Sequence, residues 1–176
     1  MAEEKGLQVR GTAELDARIA KEQKTLKVVA ITEGIVCAAA FVVGMLSVLA
    51  ALSGAAETAA LEVGYNAEAF GGRSASGLLL LGGGLLIVMA LAGALAVLLA
   101  MKAVDDASYA RSLVLVAAVT CALSVIALIV SVLNGTFVAN MSILVVGFFF
   151  SMSLTRVGLK LRNLHLNRRV LARGGK

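Results

Sequence analysis

The chain has 176 residues, of which 60% are apolar, 15% charged and 5% aromatic, with a mean hydropathy of +0.94. Soluble domains hold ~45–50% apolar and ~25% charged residues, so this composition excludes that class, and few charges with many aliphatics exclude disorder as well. Two cysteines make no disulfide framework, and the net charge of +5 rests on 16 basic residues whose placement is uneven.

The first 33 residues are polar. From Thr12 to Lys27 they place Leu15, Ile19 and Leu26 on one helical face, with Glu14 and Arg18 at i,i+4. This arm reads as a cytoplasmic amphipathic helix lying on the membrane or on the bundle. Its length of polar sequence argues against a signal peptide, which opens on a short basic segment.

Glu33 is followed by 23 residues without a charge, Gly34 to Ala56. A helix needs about 20 apolar residues to cross ~30 Å of hydrocarbon, so this gap holds one span. Glu57 to Arg73 then forms an acidic loop with Tyr65 and Phe70, either a solvated connector ending in Gly71-Gly72 or a short interfacial turn carrying Leu61 and Tyr65. Ser74 to Met101 is a second uncharged stretch, of 28 residues, and holds the second span. The third stretch, Ser112 to Thr155, has 44 residues, enough for two spans joined at Asn134-Gly135. The spans are therefore placed at about 34–56, 78–101, 112–133 and 137–155. The runs do not alternate apolar with polar, which excludes β-barrel strands. The expected fold is all-α: a polytopic membrane protein of four helices, with a basic tail from Arg156 to Lys176.

Orientation follows from the loops. The N-terminal arm carries six Lys/Arg, the 102–111 loop two and the tail seven, leaving only Arg73 for the other side. That asymmetry is the positive-inside pattern and predicts that both termini are cytoplasmic, in the cell (plasma or inner) membrane.

Motifs for chemistry are scarce. Gly82-Gly83-Gly84 lies in an apolar span with no following Lys, so it is read as helix packing rather than a phosphate loop. His165 has no spaced co-ligand for a metal, and Cys37 and Cys121 sit in apolar runs as inert thiols. Asn134-Gly-Thr136 and Asn140-Met-Ser142 match the glycosylation pattern but fall at the bilayer edge. Small residues recur at i,i+4: Ala40 and Gly44; Ala92, Ala96 and Ala100; Ala118 and Ala122; Gly147, Ser151 and Thr155. Such rows let helices pack closely.

Glu33 is the one ionisable residue beside a span. An intramembrane carboxyl marks an ion or proton site, whereas one at the headgroup level, within reach of the basic tail, is bland; the sequence favours the headgroup position. No catalytic constellation and no cofactor motif is seen, so the chain is not expected to be an enzyme. Two functions remain. One is an interaction or accessory subunit that packs against other membrane subunits or itself. The other is a small transporter or oligomeric channel using Glu33 with Thr120, Ser124, Ser131, Asn134 and Asn140. The tail lacks stacking aromatics, so anionic headgroups rather than nucleic acid are its expected partners, with Arg168, Arg169 and Arg173 as the outer contacts.

Overall fold

The computed structural model describes the backbone of residues 2–62, 74–133 and 137–174, and the side chains of 13–59, 62, 74–132 and 142–171. Residues 63–73 and the Asn134-Gly135 turn lie outside the described residues, as do the side chains of Leu61, Asn140 and Arg173. Among the described residues five α-helices follow in chain order: α1 Ala2–Leu52, α2 Ala55–Glu62, α3 Ala75–Asp105, α4 Ala110–Leu133 and α5 Phe137–Gly174. There is no strand among the described residues. Four of these helices are long and apolar enough to cross a membrane, as the charge-free stretches predict.

The ends are set by local chemistry. Gly54 adopts φ +75°, the left-handed conformation that closes a helix after its last turn, and α1 stops two residues before it. Ser74 caps α3, its hydroxyl accepting the Gly77 N–H at 3.0 Å. At the far end Asp106 leaves the helix and its carboxylate accepts the Ser108 N–H at 2.8 Å, folding a single 3-10 turn (Ala107–Tyr109) into α4.

The four long helices run up and down. α1 packs on α3 and α5, and α4 on α3 and α5, so they close a ring of antiparallel neighbours with α3 and α5 touching more lightly. Two apolar layers fill it. One joins Ile19, Leu26, Ala100, Leu113, Leu154 and Leu161; the other joins Ala40, Leu86, Met89, Ala127 and Leu144. Large apolar side chains point outward instead, among them Ile35, Leu46, Leu91, Leu98, Leu115, Ile129 and Phe149. Small and polar residues inside with aliphatics outside is how a helical bundle is built when its surroundings are lipid.

The N-terminal arm is not a separate element. α1 has 51 residues, about 76 Å at the helical rise, and runs unbroken from the arm through the apolar stretch. Leu15, Ile19 and Leu26 turn inward as their spacing predicts, joining the apolar layer shared with α3, α4 and α5, and the Glu14–Arg18 pair closes at 2.8 Å. α5 likewise continues past Arg156 as a helix. At this end Lys160 pairs with Glu22 at 3.7 Å and Arg168 with Asp16 at 3.2 Å, while the Gln23 side chain donates to the Val104 carbonyl at 2.7 Å. The start of α1, the end of α5 and the α3–α4 turn therefore share one end of the bundle. Each step back along α1 is matched by a step forward along α5.

Candidate functional site

Glu33 is inside the bundle, only 1% exposed. The sequence expects this carboxyl within reach of the basic tail; the structure encloses it between helices instead. Glu33 precedes the first charge-free stretch, and the antiparallel register brings it level with Gly93 of α3, Thr120 of α4 and Ser151 of α5. Gly93 and Thr120 each stand nine residues from the nearest basic residue on their helix, Lys102 and Arg111, about 14 Å of helix. On α1 itself, Val28 and Ile31 are more than half exposed on the charged-end side of Glu33, so outward apolar surface extends past the carboxyl. None of the tail's basic residues makes an ion pair with it among the described residues.

Three helices shape the surroundings. The Ser151 hydroxyl donates to Glu33 Oε1 at 3.0 Å. A Cβ built on Gly93 would run into the Cys37 Sγ and stand 3.5 Å from Glu33 Oε1, so α3 comes this close to α1 only because residue 93 has no side chain. Glu33 Oε2 is buried and has no hydrogen-bond partner among the described residues. Beside the carboxyl lies a cavity of about 10 Å³ walled by Cys37, Met89, Thr120, Gly147 and Ser151, room for one water-sized occupant. On the outer side of the same α1–α3 seam, a groove of about 480 Å³ opens to the bundle surface between Gly34, Ala38, Phe41, Leu91, Ala94 and Leu98. Cys37 and Ala90 wall both spaces.

The remaining polar residues of the interior are largely spent on their own helices. Thr120 donates to the Val116 carbonyl at 3.0 Å and Ser124 to that of Thr120 at 2.9 Å. They form a polar belt between the two apolar layers. Ser131 is buried on the same helix.

The small-residue rows divide. Ala40 is buried, and Gly44 meets α3 backbone to backbone: a Cβ on Gly44 would come within 2.8 Å of the Gly83 carbonyl oxygen, and one on Gly83 within 2.7 Å of that of Gly44. Gly147 and Ser151 are buried and line the Glu33 cavity. Ala118 and Ala122 face outward instead, and Ala117, Thr120, Ser124 and Ala127 are the inward face of α4. In the tail, Arg168 faces Asp16 across the α1–α5 seam, and Arg169 projects on the other side, toward the α3–α4 turn. Its leucines split as well: Leu161 and Leu164 pack inward, while Leu159, Leu166 and Leu171 stay exposed.

Sequence reasoning found Glu33 and Ser151 separately but had no means of joining them. Two residues 118 positions apart meet only through the α1–α5 register. Gly93 carried no signal at all, since it differs from its alanine neighbours by a single methyl group. No known protein family, curated relative or solved structure matches this chain.

Proposed function

We propose that the chain is a small integral membrane protein whose activity turns on reversible proton binding at Glu33, working as a proton-coupled transporter. The observation that carries this reading is the orphan Glu33 Oε2, buried beside a one-water cavity, with no ion pair to Glu33 among the described residues. A carboxylate in such surroundings is costly unless a positive partner meets it, and carboxyls within membrane helices serve ion and proton pathways. The donor set chooses the partner. The two carboxylate oxygens and the Ser151 hydroxyl are fewer oxygens than Ca²⁺ or Mg²⁺ takes, and sufficient for a proton. The positive-inside distribution supports both termini on the cytoplasmic side of the cell membrane, with the charged end of the bundle in the cytoplasm. No catalytic step or cofactor enters this reading.

The test is flux. Proteoliposomes loaded with a pH-sensitive dye are given an imposed pH gradient, and the decay is compared for wild type, Glu33→Gln and empty vesicles at equal incorporation. Faster decay in the wild type alone supports the transporter. Decay in the wild type no faster than in empty vesicles sinks it.

A second reading is an accessory subunit, and the outer α1–α3 groove favours it. Gly34, Ala38 and Ala94 leave room for a foreign helix to approach closely, as helices do in lipid. Its measurement is the mass of the particle in native-like lipid, where a stoichiometric foreign subunit supports it and a lone chain opposes it.

A further inference from the structure

We infer that the pocket between the α3–α4 turn and the cytoplasmic stretch of α5 is a phosphate-binding site, holding either an anionic phospholipid headgroup or a free phosphate. The pocket has a volume of about 290 Å³ and is lined by Arg111, Arg162, His165, Arg169 and Ser108, with Leu166 beside them. The inference is independent of what Glu33 binds.

Four observations converge on it. First, the positive charges of α5 are sorted by side. Those facing α1 are compensated, Lys160 by Glu22 and Arg168 by Asp16. Those facing the turn are not: Arg162 and Arg169, and Arg111 of α4 opposite them, make no ion pair among the described residues. Second, Arg162, His165 and Arg169 recur at three- and four-residue steps along one face of α5, and Arg111 meets them from the first turn of α4. Two elements distant in sequence thus aim three planar, fork-shaped donors at one space, the geometry that suits phosphate oxygens. Third, His165 Nε2 is buried and has no hydrogen-bond partner among the described residues. A ring nitrogen desolvated at the wall of a basic pocket is costly unless something bonds to it. Fourth, Asp106, on which Arg169 acts, is already engaged. Asp106 accepts the Ser108 N–H at 2.8 Å, and although Arg169 acts on it through space, it does not reach ion-pair distance.

Position favours phosphate over other anions. Arg111 is the residue at which the apolar stretch of α4 begins, so the pocket lies where that helix leaves the hydrocarbon, the depth of lipid phosphates. Exposed Leu166 at the rim offers an apolar contact on the same side.

Binding to the purified full chain, held in a neutral detergent, is measured with two probes: vesicles of phosphatidylcholine doped with phosphatidylglycerol, and inorganic phosphate at constant ionic strength. Vesicles given the same negative charge by a fatty acid serve as the phosphate-free control. The variants are Arg162→Ala/Arg169→Ala, Arg111→Ala and, as a charge-matched control on the other face, Arg168→Ala. Helical content and elution volume establish that each variant is folded, which is expected because all four arginines are exposed. The expected result is a loss of about tenfold in affinity for the double variant and a severalfold loss for Arg111→Ala, with Arg168→Ala within about twofold of wild type. A response confined to phosphatidylglycerol identifies a lipid headgroup, and one shared with inorganic phosphate identifies a free phosphate group. Equal losses in the pocket variants and Arg168→Ala, no loss in Arg111→Ala, or equal binding to fatty-acid vesicles would each overturn the site.

Discussion

The Ser151 hydroxyl donates to Glu33 Oε1 at 3.0 Å, tying the first and last long helices together at the level of the polar belt. That single bond satisfies one carboxyl oxygen and leaves the other facing the small cavity. Ser151→Ala removes the only described partner of a buried carboxyl. It is expected to destabilise the bundle by about 1–3 kcal/mol, read from thermal unfolding in detergent. Glu33→Gln keeps an acceptor for Ser151 and should cost less. A double variant no worse than Ser151→Ala alone shows that the two residues act through one another, whereas fully additive losses would contradict the pairing.

The glycine contacts give a sharper test of packing, because their neighbours differ in kind. Gly93→Ala forces a methyl group against the Cys37 thiol, a side chain that can be shortened. We expect a loss of about 1–3 kcal/mol, largely recovered in Cys37→Ala/Gly93→Ala. Gly83→Ala meets the Gly44 carbonyl, which no substitution removes, so its loss should resist repair by changes at Ser47 or Val48. Gly84→Ala has open space and should be nearly neutral or slightly stabilising. A neutral Gly83→Ala would contradict the α1–α3 register from which Glu33's depth follows.

At the opposite end, Glu57 Oε1 accepts the Ser76 N–H at 3.0 Å and so joins the α1–α2 region to the start of α3. That backbone bond, with the Ser76 and Ser74 hydroxyls adding to it, holds the carboxyl below its ordinary value of 4.5. The folded form therefore releases the proton more readily than the unfolded chain does. The contribution to stability is fully present above about pH 4.5 and is lost as pH falls through the lower, folded value. Thermal unfolding followed from pH 7 downward should show an acid-limb loss that is smaller in Glu57→Gln. An unchanged acid limb in that variant would show that the bond contributes nothing.

The ion pairs of the charged end should matter little individually. Asp16, Arg168 and Lys160 are all more than half exposed, and such pairs contribute about 0.2–1 kcal/mol, less in high salt. The apolar face of the same seam matters more, because Ile19 and Leu161 are buried in the apolar layer that joins the helices. Ile19→Ala or Leu161→Ala should each cost about 2–5 kcal/mol, well beyond Asp16→Asn, in the same unfolding assay.

The existence, number and helical character of the spans were legible because charge is expensive in hydrocarbon and its gaps outline the helices. Leu15, Ile19 and Leu26 announced their inward face through spacing alone. The same rule says nothing of which partners enclose Glu33. The partners that make its burial tolerable lie on other helices, with Gly93 sixty positions away and Ser151 twice as far. Register between antiparallel helices is a property of packed shapes, chiefly the Gly44–Gly83 contact and the closeness of Gly93 to Cys37. A single sequence records those shapes as small residues among many other small residues. The basic tail shows the same limit: seven positive charges were countable, but which were already paired with Asp16 and Glu22 was not.

The measurement that bears most directly on the account is carbodiimide modification of the protein in lipid nanodiscs, mapped by mass spectrometry. Lipophilic dicyclohexylcarbodiimide reacts with protonated carboxyls in apolar surroundings, whereas its water-soluble analogues reach carboxyls in contact with solvent. If Glu33 is buried in the hydrocarbon and holds a proton there, the lipophilic reagent modifies Glu33, faster as pH falls, and the adduct is absent from Glu33→Gln. The water-soluble reagent then modifies Glu14, Asp16 and Glu57 and spares Glu33. The reverse pattern, with Glu33 open to the water-soluble reagent and untouched by the lipophilic one, would place it at the membrane surface and contradict the central claim.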